Sequence, residues 1–85
     1  MEIHPSALKH GVDPDAIRHA VDNAIVWADL DPDSEPPKVL AIGPGPAGNL
    51  LEVILLELHD ERQLAIHAMA LRPIFIRLRE GLDTP

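Results

Sequence analysis

Residues 50–58 read LLEVILLEL, and this segment decides the fold of the chain. Apart from Glu52 and Glu57 it is apolar at every position, so a strand formed by it has two apolar faces. A strand with two apolar faces is typical of the interior of a sheet, where both faces are covered. The segment therefore predicts a central strand.

Further strands are predicted on both sides of this segment along the chain. The four predicted strands are residues 25–30, 38–42, 50–58 and 64–71. They are joined by a proline-rich loop at 31–37, a turn at 43–49 and a polar turn at 59–63. Because short turns join successive strands in an antiparallel arrangement, we predict a four-stranded antiparallel sheet.

Helices are predicted before and after the sheet. The first occupies residues 5–10 and ends at Gly11, and the second is capped by Asp13 and begins at Pro14. A last helix begins at Pro73. The predicted fold is α+β, with two N-terminal helices, a four-stranded antiparallel sheet and a C-terminal helix in one domain, residues 1–85.

Composition narrows the classes of function. Seven Lys and Arg residues stand against 14 Asp and Glu, giving a net charge of −7, which disfavours non-specific nucleic-acid binding but leaves room for a local basic patch. The chain has no cysteine, so disulfides and thiolate metal sites are excluded. It shows neither a secretory signal nor an apolar stretch of membrane-spanning length, so we expect a cytoplasmic protein without membrane association.

A glycine-rich segment at residues 43–48 matches the G-x-G-x-x-G pattern of dinucleotide-binding proteins. Pro44 and Pro46, however, lack the backbone N–H groups that hold a pyrophosphate. The segment also leads into a strand, whereas the binding motif opens a helix. It therefore favours a hairpin turn.

Metal sites have little support in the sequence. The alternating acids at residues 29–35 lack the glycine and the final glutamate of a calcium-binding loop, so they favour an exposed acidic loop that blunts a sheet edge. No two histidines have the spacing on one helix that zinc enzymes use. We expect no metal and no cofactor.

His67 is the one histidine that lies inside an otherwise apolar predicted strand, so it is the main histidine candidate for a functional site. Such a histidine is more often a half-buried core residue. The alternative is that it faces a groove with Arg72 at the strand end, where it acts as a general acid or base. Arg72 and Arg77 are candidates to bind a phosphate there.

Two segments give the chain a family resemblance. Lys9-His10-Gly11-Val12, followed by a capped helix, an acidic strand end, two hairpins and the Ile66-to-Arg72 strand, resembles the BrnT-type toxins of the RelE-like superfamily. In that family a lysine–histidine–glycine–(valine or isoleucine) signature begins the second helix, and the fourth strand usually reads like I-S-A-R-x-A. The resemblance spans residues 8–80 in the order of elements.

The chain matches the two family signatures at some positions and departs from them at others. Lys9, His10 and Gly11 match the first signature, and Ile66, Ala68 and Ala70 match the second. His67 stands where serine is usual, and Met69 stands where the family has an arginine expected to contact RNA.

The resemblance implies a small α+β toxin that cleaves RNA without a metal and is neutralised by a cognate antitoxin. Our hypothesis is that His67 and Arg72 take the place of the lost serine and arginine, with His67 as base or acid and Arg72 as phosphate clamp. His10 is the further catalytic candidate, and Lys9 and Arg77 are the candidates to bind the substrate. The alternative is a non-catalytic protein–protein interaction module on a toxin-like fold, whose sheet edge and leucine-rich strand bind a partner or form a homodimer. A small-molecule enzyme is a third possibility, and only His67 favours it.

Overall fold

The computed structural model describes the backbone of residues 1–80 and the side chains of residues 1–76. Within these residues the chain forms five strands, two α-helices and two 3₁₀ turns. In chain order they are β1 (Glu2–Ile3), a first 3₁₀ turn (Pro5–Leu8), α1 (Pro14–Asp22), β2 (Val26–Asp31), β3 (Lys38–Pro44), β4 (Leu50–Glu57), a second 3₁₀ turn (His59–Glu61), β5 (Gln63–Ala70) and α2 (Pro73–Glu80). The domain is an α+β fold. None of the helices in the described part of the chain is long and apolar enough to cross a membrane.

The strands form one mixed sheet in the order β1-β5-β4-β3-β2. β4 lies in the middle, so the central position predicted for the LLEVILLEL segment is confirmed. The strands from β2 to β5 pair antiparallel through successive hairpins. β1 pairs parallel with β5, through Glu2 with Leu64 and Ile3 with Ala65.

The predicted architecture of two N-terminal helices and a four-stranded antiparallel sheet is wrong. The sheet has a fifth strand, β1, which is only two residues long and therefore too short to show an alternating pattern in the sequence. The predicted first helix is instead the 3₁₀ turn Pro5–Leu8. Tertiary contacts hold this turn, since the Ser6 hydroxyl donates a hydrogen bond to the Ile66 carbonyl at 2.7 Å and Ala7 is buried.

α1 begins where the sequence predicts. The Asp13 side chain accepts a hydrogen bond from the Asp15 N–H at 2.8 Å, and Pro14 occupies the first turn. Ile17 and Ala20 are fully buried beneath the helix. These contacts place α1 against the centre of the sheet.

The sheet is apolar on both faces. The first face is covered by α1 and the first 3₁₀ turn, and its core consists of Ala7, Ile17, Ala20, Val39, Ala41, Leu51, Val53, Leu55, Ala65 and Ala68. The opposite face carries Val26, Leu40 and Ile42, packed against Ala28, Ile54, Leu71 and Phe75. Because neighbours along a strand point to opposite faces, Glu52 lies on this second face, between Leu51 and Val53 of the first core.

Candidate functional site

The candidate site is built on Glu52, in the central strand β4. Its side chain is 0% exposed, and among the described residues it is the one polar or charged side chain that is buried. An ionised carboxylate is stable in such a place only when cations and hydrogen-bond donors surround it. The partners that surround the Glu52 carboxylate are His67 and Arg72.

Arg72 supplies most of the hydrogen bonds to this carboxylate. Its backbone N–H donates to Oε1 of Glu52 at 2.8 Å. Its guanidinium donates to Oε2, from Nε at 3.0 Å and from Nη2 at 2.8 Å. The register explains the approach: β5 runs beside β4 until Ala70 faces Leu51, and Arg72 follows just before α2 begins at Pro73. The guanidinium carbon also lies 5.6 Å from the centre of the Phe75 ring, within the range of a cation–π contact.

His67 reaches Glu52 because β5 contains a bulge. Leu55 pairs with Ala65 and Ile54 pairs with His67, so Ile66 is an extra residue in β5. The Nε2 atom of His67 lies 2.8 Å from Oε2 of Glu52. A carboxylate only accepts hydrogen bonds, so Nε2 carries the proton and the Nδ1 atom of the neutral ring is left as an acceptor.

His10 lies against His67. The two ring centres are 5.4 Å apart and the ring planes are inclined by 76°, an edge-to-face arrangement. The first 3₁₀ turn brings His10 there, because it is fastened to β5 through Ser6. Gly11 then adopts a φ of +80°, the left-handed conformation expected of it after the end of a helical segment. His10 itself is exposed.

The hydrogen bonds from Arg72 and His67 determine the ionisation state of Glu52. Burial by itself raises the pKa of this carboxyl, but hydrogen bonds from the Arg72 side chain, from His67 and from the Arg72 backbone outweigh it, so the pKa lies below its ordinary value. The hydrogen bond to Glu52 in turn raises the pKa of Arg72. Glu52 is therefore ionised at neutral pH and holds Arg72 and His67 as an oriented pair.

The structure brings together three of the five predicted site residues, His10, His67 and Arg72. Lys9 is exposed and directly precedes His10, but within the described residues it makes no side-chain hydrogen bond or ion pair with them. Arg77 lies on α2, and its side chain is outside the described residues. No group of three or more potential ligands suited to a metal ion occurs in the described part of the chain.

Glu52 is the member of the site that reasoning from the sequence missed. A lone carboxylate in an otherwise apolar central strand is itself a signal of a buried site. Such a group must find a cation or several donors once both faces of the strand are covered. His67 and Arg72, in the neighbouring strand and just beyond it, were the available partners.

The arrangement is suited to proton transfer beside an anion. Glu52 holds the imidazole of His67 in one tautomer and stabilises the charge that forms when the ring gains a proton, as carboxylates do beside catalytic histidines. The Arg72 side chain is 45% exposed although it is bound to Glu52, so part of the guanidinium faces solvent. His10 adds a second titratable ring at the same place.

Comparisons with protein-family models, with curated proteins and with solved structures find no match to this chain. Function is therefore inferred from the chemistry of the site. The buried Glu52 with its two partners, and the second histidine beside them, are the features on which it depends.

Proposed function

We propose that this chain is a toxin-type, metal-independent endoribonuclease whose active site is formed by His10, His67 and Arg72. The observation that carries the proposal is the single hydrogen-bonded network in which buried Glu52 holds His67 and Arg72, with His10 packed against His67. The similarity of residues 9–12 and 66–70 to the BrnT-type toxins supports the same activity. On this proposal the protein acts in the cytoplasm, and a cognate antitoxin neutralises it.

Cleavage of RNA without a metal needs three groups around one phosphate. A base removes the proton of the 2′-hydroxyl, whose oxygen attacks phosphorus and forms a 2′,3′-cyclic phosphate. A cation stabilises the charge that develops on the phosphate oxygens. An acid gives a proton to the departing 5′-oxygen, so that the bond to phosphorus breaks.

The residues of the site divide these roles. His67, held by Glu52, is the base, because the carboxylate stabilises the imidazolium ion that it becomes. His10 is the acid that protonates the leaving 5′-oxygen. Glu52 is a positioning residue, since it is fully buried and acts on RNA only through His67 and Arg72.

Arg72 retains donors for a phosphate. Glu52 accepts from Nε and from one hydrogen of Nη2. A guanidinium carries two further hydrogens on Nη1 and a second on Nη2, so one edge remains for phosphate oxygens. Its contact with the Phe75 ring helps to hold that edge in place.

Charge is the main difficulty for an RNA substrate, since the chain carries −7. The proposal therefore requires a local cationic region. His10 adjoins Lys9 in sequence and His67 in space, while Arg72 shares Glu52 with His67. Binding to this region is expected to be stronger at low salt, because fewer cations in solution then compete with its side chains for the RNA phosphates.

The test is cleavage of a short single-stranded RNA by purified protein, with analysis for 2′,3′-cyclic phosphate ends. We expect His10→Ala to slow cleavage by about 10²-fold or more, the usual effect of losing a general acid. His10 is exposed and does not bind Glu52, so this variant should fold. His59→Ala is the matched control, since His59 is an exposed histidine at the other end of the β4–β5 hairpin.

Two outcomes would contradict the proposal. One is cleavage by His10→Ala at the wild-type rate, and the other is a folded wild-type protein that neither cleaves RNA nor arrests growth when expressed in bacteria. His67→Ala and Arg72→Ala should also lose activity. Each of them removes a partner of buried Glu52, however, so its folding must be checked by circular dichroism.

A non-catalytic interaction module is the second candidate function. It is favoured by the fact that the Arg72 backbone and guanidinium both bind Glu52, an arrangement that joins β4 to the start of α2 whether or not chemistry occurs there. A folded, inactive wild-type protein would support this candidate.

A further inference from the structure

We propose that the outer edge of β2 is a docking site for an extended, basic segment of a partner protein, which adds to the sheet as a sixth strand. This inference does not depend on RNA cleavage, because the β2 edge and the Glu52 network are separate features of the sheet.

β2 is the open edge of the sheet. Within the described residues it pairs only with β3, while the opposite edge, formed by β5, is partly covered by β1. An edge strand presents N–H and C=O groups without a strand partner, and these form hydrogen bonds with any extended chain laid beside them. The main-chain requirements for strand addition are therefore present.

Large apolar side chains are exposed at this edge. Trp27, in β2, is 50% exposed, and Ile25, directly before the strand, is 47% exposed. Leu30, next to the register shift near the end of β2, is 38% exposed. Tryptophan is one of the residue types enriched at the centres of protein interfaces, because it buries much area at a small entropic cost. Trp27 is therefore the expected anchor.

The same edge is strongly acidic. Asp29 and Asp31 lie in β2, and Asp33 and Glu35 follow in the loop. Among the described side chains, no lysine, arginine or histidine lies within salt-bridge distance of these four, whereas Asp15 pairs with Arg18 and Glu2 with Arg62 elsewhere.

Lys38 stands opposite Asp31 in the register of β2 with β3 without forming a salt bridge, so this edge keeps an excess of negative charge. That charge determines which kind of chain fits. Antiparallel pairing of β2 with a second copy of β2 would bring eight such carboxylates together, four from each copy, and like charges at an edge oppose pairing. A segment that carries both lysine or arginine and apolar residues on one face has a charge opposite to that of this edge and can also cover its apolar side chains. Trp27 and Asp29 lie on the same face of the sheet, since they pair with Ala41 and Val39 of the first core. On that face the segment therefore carries an apolar residue beside Trp27 and a cation beside Asp29.

The experiment uses the intrinsic fluorescence of Trp27, the single tryptophan of the chain. A synthetic peptide of about ten residues is long enough to pair along the strand, and Lys and Val in alternating pairs give each of its faces both residue types. We expect a saturable blue shift of the emission, and we expect salt to weaken the binding as screening increases. The same peptide with Glu in place of Lys should not bind.

Two further comparisons separate strand addition from simple charge attraction. A peptide methylated on alternate backbone nitrogens keeps its charge but lacks the donors for strand pairing, so it should lose binding. Asp29→Asn and Asp31→Asn should each weaken binding about two- to fivefold, the size of an exposed ion pair. Glu2→Gln removes the same charge at the opposite edge of the sheet and should leave binding unchanged.

Several outcomes would overturn the proposal. They are failure of the Lys–Val peptide to bind folded protein, equal binding of the methylated peptide, and no effect of the Asp29 and Asp31 substitutions. A wild-type dimer whose Trp27 emission shifts on dilution would show instead that a second copy occupies this edge.

Discussion

Glu52 is the residue on which the candidate site depends. A carboxylate with no exposed surface, in the middle strand of a sheet, is stable because Arg72 and His67 donate to both of its oxygens. The same hydrogen bonds orient the two groups proposed to act on RNA. Stability and proposed function are thus joined at one side chain, and a change at Glu52 is expected to affect both.

Replacement of Glu52 by glutamine should change how stability depends on pH. The folded-state pKa of Glu52 lies below its ordinary value of 4.5, so in acid the unfolded chain binds this proton before the folded chain does. The stabilisation is therefore present above pH 4.5 and is lost as the pH falls through the folded-state pKa. We expect Glu52→Gln to lower the free energy of unfolding by about 1–3 kcal/mol at neutral pH and to flatten its decline in acid.

The measurement is urea unfolding across a pH series from about 7 to about 3. Glu57→Gln is the matched control, because it removes an exposed carboxylate from the same strand and should keep the wild-type slope. Parallel curves for the wild type and Glu52→Gln would show that the network does not stabilise the ionised carboxyl.

At the scale of elements, the contact between α1 and β3 determines how the first face of the sheet is covered. The decisive position is Gly43, where an added Cβ would lie 2.0 Å from the Ala20 carbonyl oxygen in α1. The helix thus rests directly on the backbone of the strand. The glycine that begins the G-x-G-x-x-G pattern has a packing role, and the rest of the segment forms the β3–β4 hairpin turn.

Gly43→Ala is expected to destabilise the domain by at least about 2 kcal/mol, because a helix backbone must move to admit the methyl group. Gly45→Ala is the control within the same segment, since the nearest atoms to its added Cβ are 3.4 Å away and belong to side chains. Urea midpoints of the two variants give the comparison. Equal midpoints would mean that α1 does not rest on β3 as described.

At the scale of the whole molecule, β1 and β2 form the two opposite edges of the sheet, and β1 covers the edge of β5. The strand is two residues long, yet the His4 N–H continues its hydrogen bonding to the Ala65 carbonyl, and Ile3 packs against the core. In the described part of the chain the two edges therefore differ, since β1 covers one and the other is acidic and has no strand partner. This difference is why docking is proposed only at β2.

Deletion of residues 1–3 should lower the free energy of unfolding by about 1–2 kcal/mol, through lost burial of Ile3 and lost edge pairing. It should also promote self-association, because the edge of β5 becomes open. Urea unfolding and size-exclusion chromatography report the two effects. Glu2→Gln keeps the strand and should resemble the wild type, whereas an unchanged deletion variant would show that β1 adds nothing to stability.

The sequence by itself determined the features that depend on local pattern. These are the central strand at residues 50–58, the start of α1 at Asp13 and Pro14, and the hairpin turn after β3. Each follows from hydrophobic periodicity or from the preferences of proline, aspartate and glycine at defined positions, and such preferences act over a few neighbouring residues.

Only the tertiary structure decided the features that join distant residues. β1 exists because two residues meet β5 some sixty positions later, and residues 5–8 form a 3₁₀ turn because Ser6 and Ala7 are held by β5 and the core. The bulge at Ile66 and the register of β4 with β5 bring His67 and Arg72 to Glu52. Pairing and burial set these positions once the chain is compact, so no local pattern records them.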